Sequence, residues 1–171
     1  APGVEQGPSP TLDGSPPADA KDTAPAWAHW LPRRTTPAGL ALTRQNVPVL
    51  PGTSAAGVAA GGYVLIDADG ETPDVVLIGT GSEVQLAVDA RPTLAEHGVA
   101  ARVLSMPCVE GFDAHSPEYL NAVLPPHVRA PVALAAGIAM PRSPLYAAAR
   151  GALAADPSAL PAAFHGPSAT V

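Results

Sequence analysis

The chain has 171 residues, a hydrophobic fraction of 47% and a formal charge of −6 from nine basic and fifteen acidic residues. That suits one domain with a real core, and with Arg33–Arg34 as the one adjacent basic pair it argues against nucleic acid as a partner. No run approaches the roughly 20 apolar residues of a membrane span, no charged start leads into an apolar signal segment, and Cys108, the single cysteine, leaves no internal disulfide and fits the cytoplasm.

Aromatic residues make up 4% of the chain, so the core is expected from Val, Leu, Ile and Ala. Proline is the anomaly: 22 residues, two to three times the usual share of roughly 5%. Each removes a backbone donor, which predicts many loops or damaged helices. A start at Ala1 in place of Met reads as a fragment or a trimmed chain.

Residues 1–17, with five prolines and three glycines, read as a flexible tail. A helix is expected over Ala18–Leu31, capped by Asp19. Trp27 and Leu31 would share one face, Trp27 and Trp30 read as core or interface anchors, and Pro25 should kink or shorten the helix. Gly39–Thr43 is a short apolar strand leading into Arg44, Gln45 and Asn46. Pro48, Pro51 and Gly52 end regular structure, and residues 51–62 read as a linker of small residues. Tyr63–Ile66 is a strand and Asp69–Gly70 a turn.

Val75–Ile78 is a run of β-formers followed by the tight loop Gly79, Thr80, Gly81 and Ser82. A helix begins there, with Val84, Ala87 and Val88 at helical spacing. Ser82 and Gln85 have the spacing of a capping box. Pro92 argues for a break, and Gly98 ends the unit as a C′ glycine. Ala101–Ser105 is the next strand. Ser116, Pro117 and Glu118 open a short helix through Val123, with cap, first-turn proline and early acid in favoured places. Pro131–Ala135 is a further strand. Residues 141–171 are rich in Ala and Pro and read as irregular, with one helical stretch over Leu145–Leu153. Apolar strands alternating with helices predict an α/β fold, a mostly parallel sheet with helices on both faces.

The loop from Gly79 to Ser82 lies between a strand and a helix N-terminus, where amides and the helix dipole favour an anion. Glu83 already supplies negative charge there, so the loop is either a structural cap or a small-anion or effector site. His29, His97, His115, His127 and His165 show no ligand spacing, and no metal site is expected. Cys108 reads as a buried or idle thiol.

Several segments, in order, resemble transketolase. Pro17–Ala20 with Thr23 is similar to its PADANET segment, and Leu42–Asn46 (LTRQN) to its LTRQN or LSRQN. Gly61–Leu65 (GGYVL) and Asp74–Leu86 (DVVLIGTGSEVQL) follow two further motifs, and Ala101–Cys108 (ARVLSMPC) another. Phe112–Asp113, Tyr119 and Val123–Pro125 fit an FD…Y…VLP pattern, and Ala136–Ile138 sits where the family has EAGI. The resemblance covers roughly residues 17–141, with an echo at Gly151–Ala152 and Ala155–Pro157.

The resemblance implies a transketolase C-terminal-domain-like fold over residues 63–171 and a remnant of the pyrimidine-binding domain over 18–50. A whole transketolase moves a two-carbon ketol unit between sugar phosphates with thiamine diphosphate and a divalent metal, Mg or Ca, and works as a dimer. The family's Gly-Asp-Gly motif for the diphosphate and metal is absent from this sequence, and its cofactor-binding glutamate lies upstream of the matching region. This chain alone is therefore expected to bind no cofactor and to hold no catalytic residue. Its implied partner is the remainder of a transketolase or a homodimer mate, with no nucleic acid and no membrane. Arg44 matches the arginine that binds the substrate's phosphate in the family; a planar, always-charged guanidinium suits that task.

Departures accompany the match. Pro16 replaces an arginine, Ala135 a glutamate, and Val4–Pro8 only faintly echoes a histidine-bearing segment. They leave two alternatives to a working C-terminal segment: a stand-alone binding or assembly module, or a decayed remnant.

Overall fold

Side-chain alternation along a few short apolar strands builds the core. The computed structural model describes residues 13–134 except 36, 71, 129 and 130. Most of the expected tail, the Ala135–Ile138 match and all expectations for residues 141–171 lie outside the described residues.

Strands β3 (Tyr63–Ile66), β4 (Val75–Gly79), β5 (Ala101–Ser105) and β6 (Pro131–Leu134) form one sheet in the order β3-β5-β4-β6. β4 runs parallel to β5 and to β6, whereas β3 is antiparallel to β5 with a register shift between Val64 and Ile66. β4 and β5 are buried along their whole length, as central strands covered on both faces must be. Val75 and Leu77 enter one core cluster with Val84, Ala87, Leu94 and Val103. Val76 and Ile78 point the other way, against Leu104, Met106, Phe112 and Val123.

Helix α3 (Glu83–Glu96) packs against the first face. Helices α4 (Val109–Asp113) and α5 (Pro117–Val123) supply Val109, Phe112 and Val123 to the second. Pro92 does not break α3, which continues to Glu96. Ala87 and Leu94, both buried, hold the helix on the sheet on either side of the missing amide. The helix ends at Gly98, whose φ of 72° needs a residue without Cβ. Gly98 N–H donates to Ala95 O and Val99 N–H to Leu94 O, the paired bonds of a Schellman ending.

The N-terminal part forms a separate small sheet. Strand β1 (Asp13–Ser15) pairs in parallel with β2 (Ala38–Leu40), and helix α1 (Ala20–Trp30) joins them. Residues 13–17 are therefore not tail, because β1 gains ladder bonds from a partner about 25 positions away that no local pattern announces. The helix face also differs from expectation. Asp22, Ala26 and Trp30 are buried, whereas Trp27 and Leu31 are 50% and 67% exposed. Trp30 is therefore a core anchor as expected, whereas the Trp27–Leu31 face is not the buried one, because the buried stripe begins with a carboxylate. Pro25 sits inside α1 without ending it, flanked by the buried Asp22 and Ala26.

The expected linker contains a helix. Helix α2 (Ala55–Ala59) is capped by Ser54, whose hydroxyl accepts from Gly57 N–H at 3.1 Å. It packs on α1 and buries Val58.

Candidate functional site

Arg44 lies in the segment between β2 and Leu50, and its side chain is exposed. Both ends of the segment are pinned. Ala41 N–H donates to Ser15 O at 3.0 Å, and Leu50 N–H donates to Asp19 Oδ2 at 2.7 Å. Between them Gln45 N–H donates to Thr43 Oγ1 at 3.1 Å. No salt bridge ties Arg44 to a carboxylate among the described residues.

The Gly79–Ser82 loop occupies the carboxyl end of β4. A methyl group added at Gly79 would come within 2.6 Å of Val84 Cα, so strand and helix meet there only because the side chain is hydrogen. Four amides of the loop and the first helical turn donate to protein carbonyls. Thr80 N–H donates to Leu134 O, Gly81 N–H to Pro16 O, Glu83 N–H to Thr80 O and Val84 N–H to Gly81 O. An anion would have to displace these bonds. The capping box does not form, because Ser82 has helical backbone angles and its hydroxyl donates to Glu83 Oε1 at 3.0 Å. Ser116 likewise gives no bond to the α5 amides. Its hydroxyl hydrogen-bonds Glu118, which holds that carboxyl below its ordinary range.

Asp19, expected as the cap of α1, shares a connected polar group with a second acid, Asp22. Asp19 and Asp22 are both buried, Asp22 completely. Asp19 Oδ1 caps α1 by accepting from Asp22 N–H at 2.9 Å, while its Oδ2 holds Leu50. Asp22 accepts from Tyr63 Oη–H on β3 at 3.0 Å and from Ala18 N–H at 3.2 Å. Ser105 Oγ on β5 lies 3.5 Å from Asp22 Oδ2. Burial raises the Asp22 carboxyl above its ordinary range, and the hydrogen bonds only partly offset it. Burial, and then the nearby Asp22 charge, also raise the Tyr63 hydroxyl, which stays a donor. The legible signal was Asp22, Ala26 and Trp30 at four-residue spacing, a core stripe with an acid in it.

A contrasting pair lies at the opposite ends of the strands. Arg102, nearly buried on β5, donates from Nε to Asp67 Oδ1 at 2.7 Å and from Nη1 to the Ala122 and Val123 carbonyls that end α5. The Arg102 hydrogen bond lowers the Asp67 carboxyl below its ordinary range. Arg91 adds a 2.9 Å ion pair to the exposed Asp69.

Cys108 is buried and caps α4, its Sγ accepting from Gly111 N–H at 3.3 Å. His29 packs edge-on to Trp30, and His115 lies over Tyr119. Among the described residues no group of three or more His, Cys, Asp and Glu could hold a metal ion. No helix among the described residues is long and apolar enough to cross a membrane.

A mixed sheet with helices on both faces, preceded by a β-α-β unit, defines an α/β domain. Residues 61–156 match the transketolase-like C-terminal domain family, and the chain belongs to that family. It is 60% identical over 129 residues to the transketolase of Mycobacterium tuberculosis, covering 72% of this chain and 18% of that protein. The chloroplastic transketolase of Solanum tuberosum is 48% identical over 122 residues, 71% of this chain and 16% of the relative. Transketolase from Leishmania mexicana superposes with a TM-score of 0.70 at 40% identity, over 75% of this chain and 19% of that one. A split-gene transketolase, an inactive beta4 tetramer, shares the fold at TM-score 0.57 and 23% identity, over 85% of this chain and 45% of that one. The chain thus spans under a fifth of the length of the curated relatives it matches most strongly.

Proposed function

We propose that this chain is the C-terminal segment of a transketolase and takes part in ketol transfer only together with the cofactor-binding remainder of such an enzyme. The observation that carries the reading is 60% identity over 129 residues to a region that makes up 18% of the M. tuberculosis relative. Two structural features support it. The β1-β2 sheet has two parallel strands, fewer than parallel sheets ordinarily have. Trp27 and Leu31 present an apolar face to solvent beside it.

In this reading thiamine diphosphate, with Mg or Ca, supplies the carbanion chemistry from the remainder of the enzyme. This chain contributes Arg44, whose guanidinium would grip the phosphate of a sugar phosphate through paired charge-assisted hydrogen bonds. The proposed compartment is the cytoplasm.

Calorimetric titration of thiamine diphosphate and Mg2+ into the chain alone tests the reading. No saturable binding is expected, and saturable binding would contradict the division of labour. In an assembly restored with the missing part, Arg44→Ala is expected to raise KM for the sugar phosphate about 10- to 100-fold, from roughly 1.5–3 kcal/mol for a hydrogen bond to a charged group. An unchanged KM would remove Arg44 from the site.

A further inference from the structure

A fully buried carboxylate with only neutral donors is costly to keep charged. Asp22 is such a group. It is 0% exposed, and its hydrogen-bond donors are a backbone amide and a phenol, with a serine hydroxyl at the limit of reach. Among the described residues no Lys, Arg or His pairs with it. The surrounding elements supply no compensating charge. On α1 the near group is the carboxylate of Asp19, on β3 it is the neutral Tyr63, and on β5 the hydroxyl of Ser105. Helix α2 carries no titratable side chain. Cys108, in the same core cluster, has its sulfur turned to the α4 amide of Gly111.

The position of this carboxyl matters more than its cost. The Tyr63 and Ser105 hydroxyls, on neighbouring strands of the large sheet, both reach across to α1 and both meet Asp22. One helical turn earlier Asp19 fixes the Leu50 amide, which closes the segment carrying Arg44. Asp22 therefore joins the β1-α1-β2 unit to the C-terminal sheet at a fully buried point.

We propose that Asp22 is a proton-operated latch that seats the β1-α1-β2 unit on the C-terminal sheet, closing when its carboxyl is protonated and loosening when it is charged. When Asp22 takes up a proton, the neutral carboxyl keeps its acceptor role toward Tyr63 through Oδ1. Its new O–H can donate to Ser105 Oγ, a hydroxyl that accepts as readily as it gives. When the proton leaves, a charge served only by neutral donors remains in the core beside Asp19, and the contact is weakened. The sign follows from linkage. The seated state holds the proton more tightly than the open state, so seating strengthens as pH falls from neutral toward the ordinary carboxylate range. The gain is at most about tenfold in the seating equilibrium per pH unit. The latch stands on this geometry and does not depend on ketol transfer.

Both tryptophans lie in α1, with Trp30 in the core, so their fluorescence reports seating while far-ultraviolet circular dichroism reports the whole fold. Urea titrations of the full chain between pH 4.5 and 8 are compared with those of Asp22→Asn. The wild-type fluorescence midpoint is expected to rise as pH falls, and the Asn variant, which cannot titrate, should lose that component. Parallel pH profiles for the two proteins would overturn the latch. Should Asp22→Asn fail to fold, Tyr63→Phe decides. Removing a donor to the charged form should move the wild-type transition to higher pH, and an unmoved transition would overturn the proposal.

Discussion

Two carboxylates in this molecule meet opposite fates. Asp67 lies at the surface and receives a guanidinium from Arg102, which lowers its proton affinity. Asp22 lies in the core with neutral donors, and burial raises it. The same side-chain chemistry therefore stabilises the fold in opposite pH directions. Asp67 fastens the ends of β3, β5 and α5 within the C-terminal sheet, whereas Asp22 fastens that sheet to the preceding β-α-β unit. The paired acid is built for permanent attachment at neutral pH, and the unpaired acid for attachment that responds to protons.

The largest loss of stability is expected at Asp19, which stands beside Asp22 in the buried cluster. Asp19→Ala removes a helix cap worth about 1 kcal/mol and leaves the buried Leu50 amide without an acceptor, a further roughly 1–3 kcal/mol. Chemical denaturation should therefore show a loss of about 2–4 kcal/mol, sensed first by tryptophan fluorescence. Arg102→Met comes next. Two α5 carbonyls and Asp67 lose their donor, and a loss of about 1–3 kcal/mol is expected in the unfolding free energy. Asp67→Asn should cost least, under about 1 kcal/mol, because the Asp67 side chain is 62% exposed and solvent screens the pair.

The pH profile of Asp67→Asn sharpens the contrast. A lowered folded value means that the Asp67 contribution is complete above the ordinary carboxylate range and is lost as pH falls through the folded value. The variant should thus differ from wild type at neutral pH and converge with it in acid. Asp22 contributes with the opposite sign, in the window from the ordinary carboxylate range up to its raised folded value. Urea midpoints measured at several pH values check both slopes, and slopes of the same sign would show that the two environments do not differ as described.

Much of the large sheet was legible because its strands are unbroken apolar runs bounded by turn residues. β3 and β5 fall where Tyr63–Ile66 and Ala101–Ser105 predict them, and β4 extends one residue to Gly79. Gly98 ends α3 as its position suggests. The short helices were harder. α2 and α4 have five residues each, too few to show a period, and α4 is capped by a cysteine in place of an ordinary capping residue. Apolar β3 gave no sign of its antiparallel direction, which depends on the path of the chain between strands. The Asp19 cap was legible, but the rest of the polar cluster stayed hidden because an acid such as Asp22 is ordinary in the first turn of a helix. The real partners of the two acids, Leu50, Tyr63 and Ser105, lie 31, 41 and 83 residues away.

The central claim is that this chain supplies one part of a transketolase and needs the rest. The most direct measurement is ketol transfer between sugar phosphates, with thiamine diphosphate and Mg2+, by the chain alone and by the chain co-expressed with the M. tuberculosis relative lacking the matching region. The chain alone is expected to give no turnover, and the two parts together are expected to give turnover. Turnover by the chain alone, or a complex of the two parts that forms and transfers nothing, would contradict it.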